Sequence, residues 1–409
     1  MYKIAIVGAG TAGLAAAALL KKQGYQVTLY EKFLKPKPLG AGLLLQPTGL
    51  SVLSLLNLDQ SIIAGGSVIN CLQGKTCGSK WKTLDIHYHD LSPHLFGVGV
   101  YRNNLFNALY HEVEQSGIQV ISASTITHIE WTNDQAYVIN TGEAKTGPYD
   151  LIVDCSGSRS QLRKKYANVK LDKLYPFGAI WGIVKLKDNQ FSLNTLEQRY
   201  RNADHMIGIL PVGQLPGDQC ISASFFWSMP IAQYSQWRVE PLNVWQRYVV
   251  SLWPECESLV LQFNSHDDLT LATYYDVILR QYYTGNLVFI GDAAHCTSPQ
   301  LGQGANMALM DAYVLAECLK YTNSISQALV AYQQQRQKHL AFYQMASRIL
   351  TPFFQSHSIF FARLRALIGG LAGKIPVTQK ITAQLLSGIK TGLFSQLDPG
   401  QWSKKYQII

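Results

Sequence analysis

The sequence predicts an α/β fold: a Rossmann-like strand–helix–strand unit at the start, a strand-rich stretch in the middle and C-terminal helices. Three observations carry this prediction. The chain opens on a strand, a glycine turn, a helix and a second strand, from Ile4 to Glu31. Between Arg163 and Gln281, short β-branched and aromatic runs alternate with Gly, Pro and Asp, the pattern of strands joined by turns. Beyond Arg336, Phe, Leu and Ile mix with Lys and Arg at helical spacing.

The opening unit is the most specific. Ile4, Ile6 and Val7 form a buried-strand run, and Gly8-x-Gly10-x-x-Gly13 follows before an Ala/Leu-rich helix that ends near Gly24. Gly8 permits the tight turn, Gly10 lets backbone approach a pyrophosphate, and Gly13 lets helix pack close to strand. The helix N-terminus then offers free N–H groups to phosphate. A second strand, Val27 to Tyr30, ends in Glu31, placed to accept hydrogen bonds from ribose hydroxyls. An acid rather than an arginine at 31 disfavours a 2′-phosphate, so the cradle suits FAD or NAD better than NADP.

Size and charge bound the rest. The chain has 409 residues, 47% hydrophobic and 15% charged, enough for two or three domains with large cores. The net charge of +9 is uneven: from Arg336 onward ten Lys/Arg face one acid, Asp398, so the preceding 335 residues balance. No nucleic-acid motif accompanies that charge. Seven scattered cysteines without C-x-x-C suit reduced thiols in a cytosol; a Cys71–Cys77 pair or metal site lacks His/Cys partners. Ile4–Leu20 is apolar but holds three glycines and no clear cleavage site, so it is not a signal peptide, and no other apolar run approaches the length of a membrane span. A cytoplasmic protein is expected.

Downstream, "GDAAHCTSPQLGQGAN" (Gly291–Asn306) ends a short apolar strand on an acid and opens a helix with glycines. Together with Gly8–Gly13, Arg102 in "YRNNLFNAL" and "DLIVDCSGSRSQLR", this pattern resembles the single-component, para-hydroxybenzoate hydroxylase-like flavoprotein aromatic monooxygenases. The resemblance implies a Rossmann-like FAD-binding domain of the glutathione reductase type. In that scheme, residues 1–66, 100–165 and 285–345 bind FAD, 67–99 and 166–284 form the substrate domain, and 346–409 form a helical segment. It implies that Arg102 contacts the FAD chain, Asp292 accepts from a ribityl hydroxyl, and Pro299 and Gly302 lie beside the flavin ring. Gly304, Ala305 and Asn306 would approach the pyrimidine end, and Ala12, Lys32, Ile126 and Ser156 join the cofactor surface. Backbone N–H groups at a helix N-terminus would there stabilise the negative charge of reduced flavin. His295, in this turn, reads as a structural side chain rather than a base. No single catalytic residue is assigned and no metal is expected.

One departure stands out. The family has Asp-Gly where this chain has Ser156-Gly157, so a neutral hydroxyl replaces a carboxylate; Asp154, two residues earlier on the strand, is a candidate to compensate. That substitution leaves reduction by NAD(P)H open. Trp181, Phe225, Phe226 and Trp227 are candidates to line an apolar substrate pocket, against the alternative that they are core.

The activity implied is hydroxylation of an aromatic or polycyclic hydrophobic molecule through a flavin hydroperoxide, with NAD(P)H and molecular oxygen as cosubstrates. Alternatives are a flavin-dependent halogenase or reductase, a flavin-bound ligand-binding protein without turnover, and a plain NAD-dependent dehydrogenase. In the tail, Phe360, Leu364 and Leu367 or Ile368 share one helical face, with Arg363 and Arg365 turned to others. That tail either caps the active site or touches an anionic membrane.

Overall fold

The computed structural model describes residues 1–36, 42–79, 82–133, 135–187, 190–215, 217–372 and 375–398. Its framework is a six-stranded sheet in the order Tyr283–Thr284, Leu287–Phe289, Leu151–Asp154, Lys3–Val7, Gln26–Tyr30, Gln119–Ile121, parallel except for the short edge strand. Lys3–Val7 lies at its centre, buried from Ile4 onward, as a near-continuous apolar strand in a parallel sheet must be. The helix Thr11–Lys22 follows directly, and its Ala/Leu residues are buried against the helices Arg102–Gln115 and Gly304–Tyr321. Small side chains on this helix let three helices pack closely on one face of the sheet. A three-stranded meander, Ile126–Thr132, Gln135–Asn140 and Lys145–Tyr149, completes this body.

The expected inserted sheet is present. It has seven strands, in the order Thr270–Leu279, Val169–Lys185, Ile221–Pro230, His205–Gln214, Thr195–Arg201, Cys71–Thr76, Lys82–His87. Cys71–Thr76 pairs parallel to Thr195–Arg201, which joins two stretches far apart in sequence. A small sheet of Gly42–Leu45, Gly97–Tyr101 and Ser67–Ile69 bridges the bodies, so the expected boundaries at 66/67 and 99/100 fall within continuous structure.

The texture of 166–284 suggested strands alone, but that region also holds the helices Tyr234–Val239, Leu242–Leu252 and Glu257–Val260. They cover the outer face of the large sheet and close a second core around Phe225, Trp227, Trp237, Trp245, Trp253 and Phe263. The seven cysteines are free, Cys71 and Cys77 among them, and among the described residues no His/Cys/Asp/Glu cluster could hold a metal.

The C-terminal segment is helical but begins earlier than 346. One helix runs Ile325–Phe354 across that boundary, followed by Ile359–Ala372 and Pro376–Leu386. Pro352 lies in the last turn of the first of these helices, which ends two residues later at Phe354. Residues 387–390 turn back to the main body, where His339 meets Gly388 O and Lys390 N donates to Tyr343 OH.

Candidate cofactor and active site

The first strand ends where the glycine turn begins. Gly8, at φ +105°, donates its N–H to Tyr30 O, and an added Cβ there would lie 2.6 Å from Cys155 O. A Cβ on Gly13 would lie 1.9 Å from Gly8 O, so Gly13 is fixed by the close crossing of helix and turn. Gly10 differs: a Cβ there would meet no protein atom within 4 Å. Packing explains Gly8 and Gly13; the space beside Gly10 belongs to something other than protein.

That space is a cavity of about 300 Å³. Gly8, Gly10, Glu31, Lys32, Arg102, Ile126 and Ser156 line it, seven residues the sequence placed there. Phe33, Phe106, Ser124, Thr125, Arg159 and Gln161 line it too and were not anticipated. Gly10 caps the helix without a side-chain hydrogen bond, and the first turn holds no acid, so its N–H groups stand open to an anion. Glu31 is buried and engaged on both oxygens, accepting from Ala9 N (2.8 Å) and Phe33 N (3.0 Å). Two backbone donors orient its carboxylate at the cavity wall. Ala12 and Gly13 lie behind the wall, and Ala12 packs so close to the 291 turn that a Cβ on Gly291 would come within 2.9 Å of Ala12 Cβ.

The departure at Ser156 has a structural resolution. Asp154 is fully buried and accepts from Ser156 N (2.9 Å), Ser156 Oγ (2.5 Å) and the Ser160 hydroxyl. Burial raises its pKa, against the lowering effect of these hydrogen bonds and of Arg163. Asp154 therefore does not face the cavity; its influence reaches the cleft through Ser156, whose hydroxyl oxygen is left as an acceptor. Two arginines in this motif divide the work. Arg159 is exposed at the cavity, whereas Arg163 is fully buried and donates to Gly157 O, Ser158 O, Asp292 O and Ala293 O while pairing with Asp172. One guanidinium thus ties the 154–160 turn to the 291–293 turn.

The second turn, from Gly291 to Gly304, is where the resemblance would put the flavin ring. Asp292, Gly302 and Gly304 are exposed, and a Cβ on Gly302 or Gly304 would meet no protein atom within 4 Å. Gly302 adopts φ +60°, which lets the chain turn into the helix Gly304–Tyr321. Pro299 and Ala305 are partly exposed around it, and Asn306 is buried, linking Gln46 N (2.8 Å) to Leu44 O and Gly302 O. This helix N-terminus is also uncapped and free of acid. Arg102 lines the cavity and lies within electrostatic reach of Asp292 and Tyr274, which act to raise its pKa against the lowering by desolvation. His295 turns away from it: buried, its ring N–H meets Asp311, which also accepts from Gly291 N and pairs with Arg336. Burial works to raise the Asp311 pKa, but His295 and Arg336 hold it well below the usual carboxylate range.

The aromatic candidates separate by strand alternation. Trp181 and Phe226 lie on the inner face, 4.8 Å between ring centroids, and Trp181 Nε1 donates to Tyr274 OH (3.1 Å). Phe225 and Trp227 point outward into the closed second core, so they are structural and not pocket residues. Tyr274 was missed because nothing in its strand sequence marks it; only the fold brings it beside Arg102.

Open space at Gly10, Gly302 and Gly304, an oriented acid and two uncapped helix N-termini define a site for an extended dinucleotide, and the donor set fits a flavin. The comparisons agree. Residues 1–344 match the model of the FAD-binding domain family FAD_binding_3, and the chain belongs to that family. A putative FAD-dependent monooxygenase of Bacillus subtilis, YetM, is 25% identical over 82% of this chain and 89% of its own. The 6-hydroxynicotinate 3-monooxygenase of Pseudomonas fluorescens is 24% identical over 78% and 82%. In fold, the chain matches Klebsiella pneumoniae HpxO, solved with FAD and uric acid, at TM-score 0.79 and 20% identity over 93% of this chain and 97% of that one. The protein is an FAD-dependent oxidoreductase of the monooxygenase type.

Proposed function

We propose that this protein hydroxylates an aromatic or polycyclic hydrophobic small molecule, with molecular oxygen and NAD(P)H as cosubstrates. Bound flavin, once reduced, supplies the oxygen activation that no side chain can provide. The chain's own residues bind, orient and exclude water. Gly8, Gly10, Glu31, Lys32, Arg102, Ile126 and Ser156 would hold the dinucleotide portion, with Ala12 and Gly13 supporting the turn from behind. Asp292, Pro299, Gly302, Gly304, Ala305 and Asn306 would hold the ring portion, with N–H groups and a helix N-terminus available to developing negative charge.

The observation that carries this reading is the Trp181–Tyr274 hydrogen bond on the inner face of the large sheet, within electrostatic reach of Arg102 at the cavity. Burial pushes the Tyr274 pKa up to about 12, so its phenol stays neutral at pH 7. Its oxygen accepts from Trp181, and its own proton is left to orient a polar group on an otherwise apolar substrate. This reading also keeps the protein in the cytoplasm, with the basic C-terminal segment as a peripheral membrane contact.

The test is co-consumption of NAD(P)H and oxygen across a panel of phenols, quinols and heteroaromatic acids, with product mass checked for one added oxygen. Failure of every candidate to stimulate both would overturn the proposal. Chloride-dependent products would point to halogenation, and turnover without oxygen to a reductase.

A further inference from the structure

The basic charge of the tail is not spread over a surface. Arg336, Arg365 and Lys390 are buried, and Arg348 pairs with Asp276; among the described tail residues Lys338, Arg363 and Lys380 are exposed. The last two lie in a specific setting. In the helix Ile359–Ala372, the inward face is fixed by Ala362, Arg365 and Gly369. Arg365 donates to Phe353 O and Asn202 O and stacks on Tyr200, while a Cβ on Gly369 would lie 2.2 Å from Thr83 O. That anchoring turns Phe360, Arg363 and Leu367 outward, with Phe360 68% and Leu367 62% exposed.

The helix Pro376–Leu386 repeats the arrangement. Ala383 and Leu386 are buried, and Val377, Lys380 and Ile381 face out. Both helices pack on the strand Lys82–His87, so they are neighbours. Beside the second, Gln384 Nε2 donates to Gln396 Oε1, which clips on a tight hairpin closed by the Lys390–Gln396 bridge and the Thr391 N to Ser395 O bond. Leu393 and Phe394 stand at its tip, Phe394 fully exposed. No Asp or Glu occurs between Cys318 and Leu397. Apolar residues that could have been buried are instead held outward by well-packed supports, on helix and hairpin segments, 359–372 and 376–396, that carry bases and no acid.

We infer that this face, formed by Phe360, Arg363, Leu367, Val377, Lys380 and Phe394, docks on an anionic lipid bilayer. Outward apolar side chains interspersed with bases and free of acids are the pattern of an interfacial element that enters the headgroup region. Among the described residues no helix is long and apolar enough to cross a membrane, so the contact is peripheral. It stands independently of the substrate proposed above.

The test is co-sedimentation of full-length, FAD-loaded protein with vesicles of phosphatidylcholine alone and of phosphatidylcholine with one-third phosphatidylglycerol. The expected result is binding to the anionic vesicles that weakens with salt. Phe360→Ser with Phe394→Ser, and separately Arg363→Glu with Lys380→Glu, should each reduce it by roughly tenfold or more. Val239→Ser, at an exposed apolar residue of the inserted domain, should leave it unchanged. Equal binding by all variants, or none by the parent protein, would refute the inference. A solution dimer that dissociates on Phe360→Ser with Phe394→Ser would assign the face to a second copy instead. Vesicle binding that appears only after removal of residues 399–409 would assign it to that segment.

Discussion

Gly10 and Gly13 sit three residues apart in one motif, yet substitution should affect them in opposite ways. Gly10 has φ −81°, open to any residue, and a Cβ there meets nothing within 4 Å. Gly10→Val should therefore cost the apoprotein only about 1 kcal/mol, the N-cap preference for Gly over an apolar side chain. The side chain would instead stand where a pyrophosphate approaches the helix N–H groups. Losing two charge-assisted hydrogen bonds at about 1.5 kcal/mol each weakens FAD binding by roughly a hundredfold. Gly13→Ala drives a Cβ to 1.9 Å from Gly8 O, an overlap of backbone with backbone-attached carbon that no rotamer relieves. It should destabilise the apoprotein by roughly 3 kcal/mol or more. Urea unfolding of apoprotein and FAD titration by flavin fluorescence read the two effects separately. Unimpaired FAD affinity in Gly10→Val, or apoprotein damage equal to that of Gly13→Ala, would show that Gly10 is not reserved for a ligand.

Other predictions address the buried charges and the aromatic wall. His339 accepts from Arg336 Nη1 and donates to Gly388 O, and burial together with Arg336 lowers its pKa to about 3. The unfolded chain takes up this proton near pH 6.5, so stability falls as pH drops below that value, by about 2 kcal/mol at pH 5; His339→Gln should flatten the slope in pH-dependent urea unfolding. Asp311→Asn leaves Arg336 buried without its partner and should cost about 3–5 kcal/mol in the same assay. Ser156→Asp restores the residue expected from the motif but places a second carboxylate beside buried Asp154; FAD affinity should fall by roughly tenfold rather than rise, and tighter binding would contradict the shared role of Asp154 and Ser156. Trp227→Leu should lower the melting temperature with KM unchanged, whereas Trp181→Phe, which removes the donor to Tyr274, should raise KM with little loss of stability.

Much of the cofactor site was legible because backbone geometry demands particular residues. Gly8 and Gly13 are dictated by close approach, and an apolar strand ending at a glycine turn has few other uses. The acid at the end of the second strand could be placed by counting. The aromatic pocket was less accessible: alternation along Ile221–Pro230 assigns Phe225 and Trp227 to one face and Phe226 to the other, but not which face is inward. The helices at 234–260, which cover the outer face, decide that. Tyr274 and Arg159 were invisible for a different reason. Their roles depend on neighbours supplied by distant strands and turns, and no spacing rule reports such a meeting. The tail was read by its net charge, whereas burial of Arg336, Arg365 and Lys390 shows that part of that charge is structural.

Leu386 and Gly388 pack behind the turn that opens the helix Gly304–Tyr321. Gln303 Nε2 donates to Leu386 O, His339 holds Gly388 O, and a Cβ on Gly388 would strike Thr48 Oγ1 at 2.5 Å. These contacts come from residues synthesised after the rest of the cradle. A chain truncated before Leu386 loses these supports of Gln303, His339 and Thr48, and its FAD affinity, read by flavin fluorescence, should fall.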